Sequence, residues 1–246
     1  MKSIGVIPAR YESSRFPGKP LVDIAGKTMI QRVYEQCIKV DQLQDVIIAT
    51  DDQRIYDHVK NFSGKVMMTD KNHPNGTSRI GEVISQNEAY DLVINIQGDE
   101  PFINPKQIDA LISEMKISKK DIGTVAKKID QEGPLFDPNT VKVIFDKNKK
   151  AIYFSRHPIP FQRGIEEKNW LIEHTYYKHI GLYAFRRKPL LDLLDLPITP
   201  LAKSESLEQL IWLEHGYDIA ISISQYESFG IDSPEDLEKA LLNFNL

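Results

Sequence analysis

The sequence has almost no cysteine, and its single thiol, Cys37, excludes an internal disulfide. Cys37 falls on the apolar face of a predicted helix, so we expect a buried, reduced thiol and a reducing compartment. No apolar run reaches the roughly 20 residues that a membrane-spanning helix needs. The N-terminus also lacks the apolar segment of a signal peptide, so we expect a cytoplasmic chain that starts near Met1 and does not insert into membranes.

A strong charge of one sign is missing as well. The formal net charge is -4 over 246 residues, and 41% of the residues are hydrophobic, so the composition is typical of a folded enzyme. This balance produces no long-range attraction to nucleic acid, and we predict no nucleic-acid partner. Any cationic site must therefore be local.

Two phosphate-binding fingerprints are also missing, since neither Gly-x-x-x-x-Gly-Lys-Ser/Thr nor Gly-x-Gly-x-x-Gly follows the first apolar run. The run at residues 4–7 predicts a strand that Pro8 stops, because proline has no N–H for a sheet ladder. The polar loop after it carries Arg10, Arg15 and Lys19, three cations that can bind polyphosphate oxygens. A solvated surface loop is the alternative that this segment alone leaves open.

The first half of the chain alternates short β-branched runs with helical stripes, a pattern typical of a buried, mostly parallel sheet in an α/β fold. The predicted strands lie at residues 4–7, 46–49, 66–68 and 92–96. The pair Asn104-Pro105 predicts the start of a helix. Ligands of such sheets bind beyond the carboxyl ends of the strands, so we expect the polar residues there to converge.

The pattern changes near residue 121, where the predicted strands lie closer together. They lie at residues 122–126, 140–145, 151–154 and 180–185. A helix over 204–214, a strand over 219–223 and a helix capped by Ser233 follow. We predict a larger lobe over 1–120 and a smaller mixed lobe over 121–246, joined as one structural unit.

Asp99 follows the predicted strand at 92–96, which puts its carboxylate at the carboxyl edge of the sheet. A magnesium ion beside a phosphate needs only one or two such carboxylates, and Asp232, just before a helix start, is the candidate second ligand. A turn cap for Asp99 and an ordinary loop carboxylate for Asp232 are the alternatives.

Further candidates lie near the ends of other predicted elements. Asn75, Gly76 and Arg79 open a helix, where free N–H groups can bind an anion or a base edge, although an ordinary helix start has the same residues. In the second lobe the candidates are Arg156, His179, Glu208 and Gln209. Each of these also has an ordinary structural interpretation.

Four segments together, residues 7–20, 49–51, 76–79 and 95–101, closely resemble the 3-deoxy-manno-octulosonate (Kdo) cytidylyltransferases. The resemblance continues in order through residues 154–156, 179–183, 207–210 and 230–238. It implies a fold of the nucleotide-diphospho-sugar transferase type and a cytoplasmic, magnesium-dependent homodimer. The implied reaction couples CTP and Kdo to CMP-Kdo and pyrophosphate, which activates Kdo for lipopolysaccharide synthesis.

The resemblance also implies roles for individual residues. The implied catalytic residues are Arg10, Lys19, Asp99 and Asp232, of which Asp99 and Asp232 bind magnesium. The implied nucleotide-binding residues are Arg10, Arg15, Lys19, Asn75, Gly76, Arg79 and Gln97. The implied acceptor-binding residues are Gln97, Arg156, His179, Glu208 and Gln209. For the two lobes, the resemblance implies that residues 1–120 bind the nucleotide. Residues 121–246 are expected to bind the sugar and form the dimer, with C-terminal elements that return to the active site.

Two departures from the family pattern fall in the second lobe, where the family often has Glu and Arg but this chain has Ala202 and Ile211. They leave 8-amino-Kdo open as the acceptor. A cytidylyltransferase of the sialic-acid type, or another sugar nucleotidyltransferase, is the alternative enzyme. A nucleotide-binding sensor without an acceptor site and a dinucleotide-dependent oxidoreductase are the alternatives from other classes.

Overall fold

The structure is a computed structural model that describes residues 1–12 and 16–243. The strands are β1 Ser3–Ala9, β2 Asp23–Ile24, β3 Lys27–Thr28, β4 Asp45–Thr50, β5 Val66–Met68, β6 Leu92–Asn95, β7 Ile122–Lys128, β8 Lys142–Phe145, β9 Ala151–Ser155, β10 Tyr177–Arg186 and β11 Ile219–Ser224. The helices are α1 Met29–Cys37, α2 Gln53–Asn61, α3 Gly76–Ser85, α4 Pro105–Ile117, α5 Glu132–Phe136, α6 Trp170–Glu173, α7 Arg187–Leu193, α8 Pro200–Glu205, α9 Gln209–Glu214 and α10 Pro234–Asn243.

A mostly parallel sheet forms the centre of the fold, as the apolar runs predicted. Its strand order is β11-β7-β10-β6-β1-β4-β5. The neighbours of β1, which are β4 and β6, run parallel to it, and β5 runs parallel to β4. Strand β10 is antiparallel to both of its neighbours, while β11 is parallel to β7. The carboxyl ends of β1, β4 and β6 therefore meet at one edge.

The prediction that Pro8 stops the first strand is wrong, because β1 continues to Ala9 and Pro8 lies opposite Ala49 of β4. The carbonyl of Val6 accepts from Ile96 on the β6 side of the strand, and Pro8, two residues further on, faces the same side. Strand β6 has already ended there at Asn95. The missing N–H of Pro8 therefore costs no ladder hydrogen bond.

The sheet is continuous across the predicted lobe boundary. Tyr183 of β10 lies opposite Asn95 of β6, so the second half of the chain extends the sheet that the first half begins. Strand β8 pairs with β10 and β9, which adds a small antiparallel extension. The assignment of separate roles to the two lobes stays a prediction.

Helices cover both faces of the sheet, which explains the nearly continuous apolar runs in its strands. On one face α1, α2 and α4 bury a cluster that includes the fully buried, free Cys37, whose pKa is raised by burial. On the other face α3, α7 and α9 bury a second cluster around Phe185 and Trp212. No helix in the described ranges is both long and apolar enough to cross a membrane.

The single helix predicted over 204–214 is wrong, since two short helices, α8 and α9, occupy this region. Ser206 between them has a left-handed backbone with φ of 52°, which ends α8. The Glu205 carboxylate accepts from the backbone N–H of Arg156 at 2.9 Å and from the Ser155 hydroxyl at 2.7 Å. These hydrogen bonds to Ser155 at the end of β9 and to Arg156 stabilise the end of α8 at Glu205. They cannot be predicted from a local helical pattern.

The last helix, α10, starts as predicted, with the Ser233 hydroxyl accepting from the backbone N–H of Asp236 at 3.2 Å. Just before and within this region, Ile231 and Ala240 pack against Ile24 and Met29 from the N-terminal part of the chain. The C-terminal segment therefore returns to the strand edge where β1 ends.

Candidate active site

A cleft of about 450 Å³ opens at the carboxyl ends of β1 and β6. It brings together eight of the residues singled out in the sequence. These are Arg10, Lys19, Asn75, Gly76, Arg79, Gln97, Asp99 and Asp232. The predicted phosphate-binding residue Arg15 lies outside the described residues.

Lys19 is the centre of charge in this cleft. Its Nζ lies 2.7 Å from Asp99 Oδ2 and 2.9 Å from Asp232 Oδ1, and 15% of its side chain is exposed. Burial lowers the pKa of Lys19, but the charges and hydrogen bonds of Asp99 and Asp232 outweigh this and raise it above its ordinary value. The ammonium therefore stays protonated at neutral pH.

The loop before Lys19 is shaped by a glycine. Gly18 has φ of 73°, and its backbone N–H donates to the carbonyl of Tyr11 at 2.9 Å. A side chain at Gly18 would have its Cβ 3.1 Å from the Tyr11 ring, in addition to the strained backbone. The short 3₁₀ turn Lys19–Leu21 follows at once and directs Lys19 into the cleft.

The two acids come from distant segments and converge on one positive charge. Asp99 follows β6, and a side chain at the preceding Gly98 would approach the Pro8 carbonyl oxygen to 3.0 Å. Asp232 is held beside Asp99 because the backbone N–H of the preceding residue, Ile231, donates to the Asp99 carbonyl oxygen at 2.9 Å.

This donor set fits a magnesium ion. Two carboxylates already share one cation, the Lys19 ammonium, and hard oxygen ligands are the ones that magnesium prefers. Among residues 1–12 and 16–243, no group of three or more His, Cys, Asp or Glu side chains is arranged to hold a metal. Phosphate oxygens and water would have to complete the coordination of magnesium at Asp99 and Asp232.

Arg79 lies beside the cleft but is committed to protein partners. It is 4% exposed, and its guanidinium donates to Thr69 Oγ1 at 2.5 Å and to Asp51 Oδ2 at 3.0 Å. These contacts tie α3 to the ends of β4 and β5. Arg79 is placed to hold the cleft wall in position.

Asn75 connects the cleft to the second half of the chain. Its side-chain oxygen accepts from the backbone N–H of Ser78 at 2.8 Å and so caps α3, which starts where the sequence predicted a helix. Its amide nitrogen donates to Glu208 at 3.0 Å. Burial raises the pKa of Glu208, although a hydrogen bond from Thr77 partly opposes the shift.

Gln97 makes a second connection, because its amide donates to the carbonyl oxygen of Gly181 in β10 at 2.9 Å. His179, two residues earlier, lies 2.9 Å from Thr124 Oγ1 and packs edge-on against Phe154. Burial lowers the pKa of His179 to about 3, so the imidazole is neutral. His179 does not line the cleft itself.

The other predicted acceptor residues also lie outside the cleft lining. Arg156 donates to the carbonyl oxygens of Glu205, Pro138 and Ser206, so it holds the break between α8 and α9. Gln209 is 4% exposed and begins α9 directly after Glu208.

Ala202 and Ile211, where the chain departs from the family pattern, pack against the apolar cluster of the second sheet face. They do not line the cleft, so the two departures change packing beneath α8 and α9.

Several functional neighbours escaped the sequence analysis. His73 lines the cleft and its Nε2 lies 2.6 Å from Glu82, an i to i+9 contact with no local signature. Glu100, 8% exposed, lies next to Asp99, and burial raises its pKa to about 7, a shift that Ser228 opposes and Asp99 reinforces. Thr124 is fully buried in β7, and an alternating strand pattern cannot reveal its polar partners.

An open α/β sheet with a cationic cleft at its carboxyl edge is typical of nucleotide-binding transferases. The family model of the cytidylyltransferases matches residues 4–219. A 3-deoxy-manno-octulosonate cytidylyltransferase of Parabacteroides distasonis is 52% identical over 246 residues, covering 98% of this chain and 97% of that protein. The chain belongs to the cytidylyltransferase family, and within it to the 3-deoxy-manno-octulosonate cytidylyltransferases.

Other similar proteins agree with this assignment. A relative of the same name from Bacteroides thetaiotaomicron is 49% identical over 244 residues, covering 98% of this chain and 97% of that protein. A solved CMP:2-keto-3-deoxy-manno-octonic acid synthetase complexed with CTP is 40% identical, with a TM-score of 0.92 and full coverage of both chains. A 4-diphosphocytidyl-2C-methyl-D-erythritol synthase from Anaerococcus prevotii shares the fold alone, at 15% identity and a TM-score of 0.64, over 100% of this chain and 97% of that one.

Proposed function

We propose that this protein couples CTP and Kdo to form CMP-Kdo and pyrophosphate. The observation that carries the proposal is the group formed by Lys19, Asp99 and Asp232, in which two carboxylates converge on one ammonium at the carboxyl edge of the sheet. Such a group combines a cation for the triphosphate with oxygen ligands for a metal. The family assignment supports CTP as the nucleotide and Kdo as the acceptor.

The reaction needs positioning and charge neutralisation but no covalent nucleophile. A hydroxyl oxygen of Kdo forms a bond to the α-phosphorus of CTP, and its proton passes to solvent. The bond from that phosphorus to the bridging oxygen of pyrophosphate breaks, and pyrophosphate leaves with the bonding electron pair. Arg10, which is exposed in the cleft, and Lys19 bind triphosphate oxygens and stabilise the negative charge on the leaving pyrophosphate. Magnesium, held by Asp99 and Asp232, would supply further neutralisation of phosphate charge.

The wall of the cleft selects the base and the acceptor. Asn75, Gly76 and Gln97 present backbone and amide groups that can hydrogen-bond a cytosine edge, while Arg79 keeps this wall in place. We place the acceptor beside Gln97, toward Gly181, Glu208 and Gln209. The contacts of Asn75 with Glu208 and of Gln97 with Gly181 support this placement, because they connect the nucleotide cleft to β10 and α9.

One experiment tests the reaction and its substrates together. Pyrophosphate release is measured with each of four nucleoside triphosphates crossed against Kdo, 8-amino-Kdo and N-acetylneuraminate, with and without magnesium. We expect release with CTP and Kdo when magnesium is present. A preference for N-acetylneuraminate would indicate an enzyme of the sialic-acid type, and activity without magnesium would contradict the metal assignment.

The cellular setting is part of the same proposal. We propose that the protein acts in the cytoplasm as a homodimer and supplies activated Kdo for lipopolysaccharide synthesis. Light scattering coupled to gel filtration tests the dimer, since a mass near twice the 28.2 kDa of one chain is expected.

A further inference from the structure

Thr124 makes an unusual set of polar contacts for a fully buried strand residue. Its hydroxyl oxygen lies 2.9 Å from the Leu182 carbonyl, 3.3 Å from the Ile180 carbonyl and 2.9 Å from His179 Nε2. All three partners belong to β10, where the pairing with β7 shifts register between Ile180 and Tyr183. The hydroxyl therefore contacts the backbone at the bulge formed by this register shift.

The bulge faces the cleft on its other side. Gly181 lies inside it, and its carbonyl oxygen accepts the hydrogen bond from Gln97, a residue of the cleft wall. One hydroxyl thus contacts both sides of the segment that orients Gln97, and it contacts His179 as well.

Counting hydrogens in this cluster determines the tautomer of His179. A threonine hydroxyl has one hydrogen, and the carbonyl oxygens of Ile180 and Leu182 have none to donate. The oxygen of Leu182 lies 2.9 Å from Thr124 Oγ1, so the hydroxyl hydrogen must point toward the carbonyls to avoid repulsion between bare oxygens. The contact with His179 then requires a hydrogen on Nε2, which donates to Thr124 Oγ1.

A neutral imidazole with a hydrogen on Nε2 has a lone pair on Nδ1. Among residues 1–12 and 16–243, no side chain or backbone group makes a hydrogen bond with Nδ1 of His179. The His179 side chain is only half-buried, and Nδ1 itself keeps some accessible surface. This nitrogen is therefore open to a hydrogen-bond donor that enters from outside.

We propose that Thr124 is a positioning residue for acceptor binding, because its hydroxyl holds His179 in the tautomer whose Nδ1 accepts a hydrogen bond from a hydroxyl group of the sugar. The proposal rests on the proposed function, since it names the group that His179 recognises.

Nuclear magnetic resonance of protein with ¹⁵N-labelled histidines tests the tautomer without substrate, because long-range ¹H–¹⁵N correlations identify the ring nitrogen that carries hydrogen. His179→Gln assigns the signal. We expect hydrogen on Nε2 of His179 in the wild type and in Thr124→Ser. In Thr124→Val the buried Nε2–H loses its acceptor, so we expect a shift toward hydrogen on Nδ1. Hydrogen on Nδ1 in the wild type, or no change in Thr124→Val, would overturn the proposal.

Kinetics then test the effect on the sugar. Thr124→Val should raise the KM for Kdo about tenfold while Thr124→Ser stays within about threefold of the wild type. In a His179→Ala background, Thr124→Val should add less than about twofold, because the group it positions is gone. Full additivity of the two changes would overturn the positioning role.

The two parts of the test separate the two proposals. A wild-type protein with hydrogen on Nε2 but no formation of CMP-Kdo would contradict the proposed function and the sugar contact with it. A protein that forms CMP-Kdo but has hydrogen on Nδ1 of His179 would contradict only the role of Thr124.

Discussion

The backbone N–H of Ile231 donates a hydrogen bond to the carbonyl oxygen of Asp99 at 2.9 Å, and this bond sets Asp232 beside Asp99. The loop that carries Asp232 is anchored at its other end by Glu227, which pairs with Lys127 at 3.0 Å and also with Lys178. The carboxylates of Asp99 and Asp232 thereby meet at the ammonium of Lys19. The candidate metal site is thus a product of the return of the C-terminal segment to the strand edge.

We expect Asp99→Asn to fold normally and to lose about 10³-fold or more in turnover, because loss of a metal ligand removes several kcal/mol of transition-state stabilisation. Pyrophosphate release measures the rate, and circular dichroism measures the fold. Asp192→Asn is the matched control, since Asp192 lies away from the cleft and pairs with Lys188, which is 84% exposed. Near wild-type turnover of Asp99→Asn would contradict the metal assignment.

Lys19→Met should weaken CTP binding about tenfold or more through the loss of charge-assisted hydrogen bonds to phosphate. We expect a change of only about 1 kcal/mol in the free energy of unfolding, because Asp99 and Asp232 keep 28% and 47% of their side-chain surface in water. Titration calorimetry with CTP measures the affinity, and Lys188→Met is the control. An unchanged affinity for CTP would show that Lys19 does not bind the triphosphate.

Gln209→Ala should raise the KM for Kdo about tenfold and leave the KM for CTP nearly unchanged, the effect of one lost polar contact to the acceptor. Steady-state kinetics with each substrate varied in turn measures both constants. Gln53→Ala, on the exposed side of α2, serves as the control. If the KM values for Kdo and CTP rise equally, Gln209 supports the fold and does not contact the sugar.

Arg79→Met should lower the free energy of unfolding by about 3 kcal/mol, because Asp51 would lose the cation that neutralises it beside the sheet. Urea unfolding measures this change. The double variant Arg79→Met with Asp51→Asn should recover part of the loss, since no unpaired charge remains. Strict additivity would show that the pair contributes nothing through its charge.

The pH dependence of stability should contain a contribution from His179. Its pKa in the folded protein is about 3, below the ordinary value of about 6.5, so between these values the unfolded chain binds more protons. The free energy of unfolding therefore falls as the pH drops from about 6.5 toward 3, by at most about 1.4 kcal/mol per pH unit from this group. His179→Gln should make the acid slope shallower. A curve parallel to that of the wild type would contradict an imidazole that stays neutral in the folded protein.

Local patterns were sufficient to predict the main elements of the fold. The strands around Ile7, Ile48 and Ile94 are apolar along their length because helices cover both faces of the sheet, and this property is visible in sequence. The caps at Asn104 and Ser233 depend on neighbours within three residues, so they could also be predicted.

Wrong predictions arose where a distant partner overrides a local preference. Pro8 continues β1 because β6 ends before its missing N–H would be needed. Ser206 breaks the predicted helix because Glu205 is engaged by Ser155 and Arg156 of another element. Neither partner lies within the window from which a helix or strand is predicted.

The sequence by itself determined the α/β class, the order of the elements and the acid after β6, because each depends on residues that are neighbours in the chain. Only the tertiary structure decided that Lys19 contacts both Asp99 and Asp232, that Arg79 donates to Asp51 and Thr69, and that Thr124 contacts His179. These contacts join segments far apart in sequence. Their geometry exists only after the sheet has assembled and the C-terminal segment has packed against it.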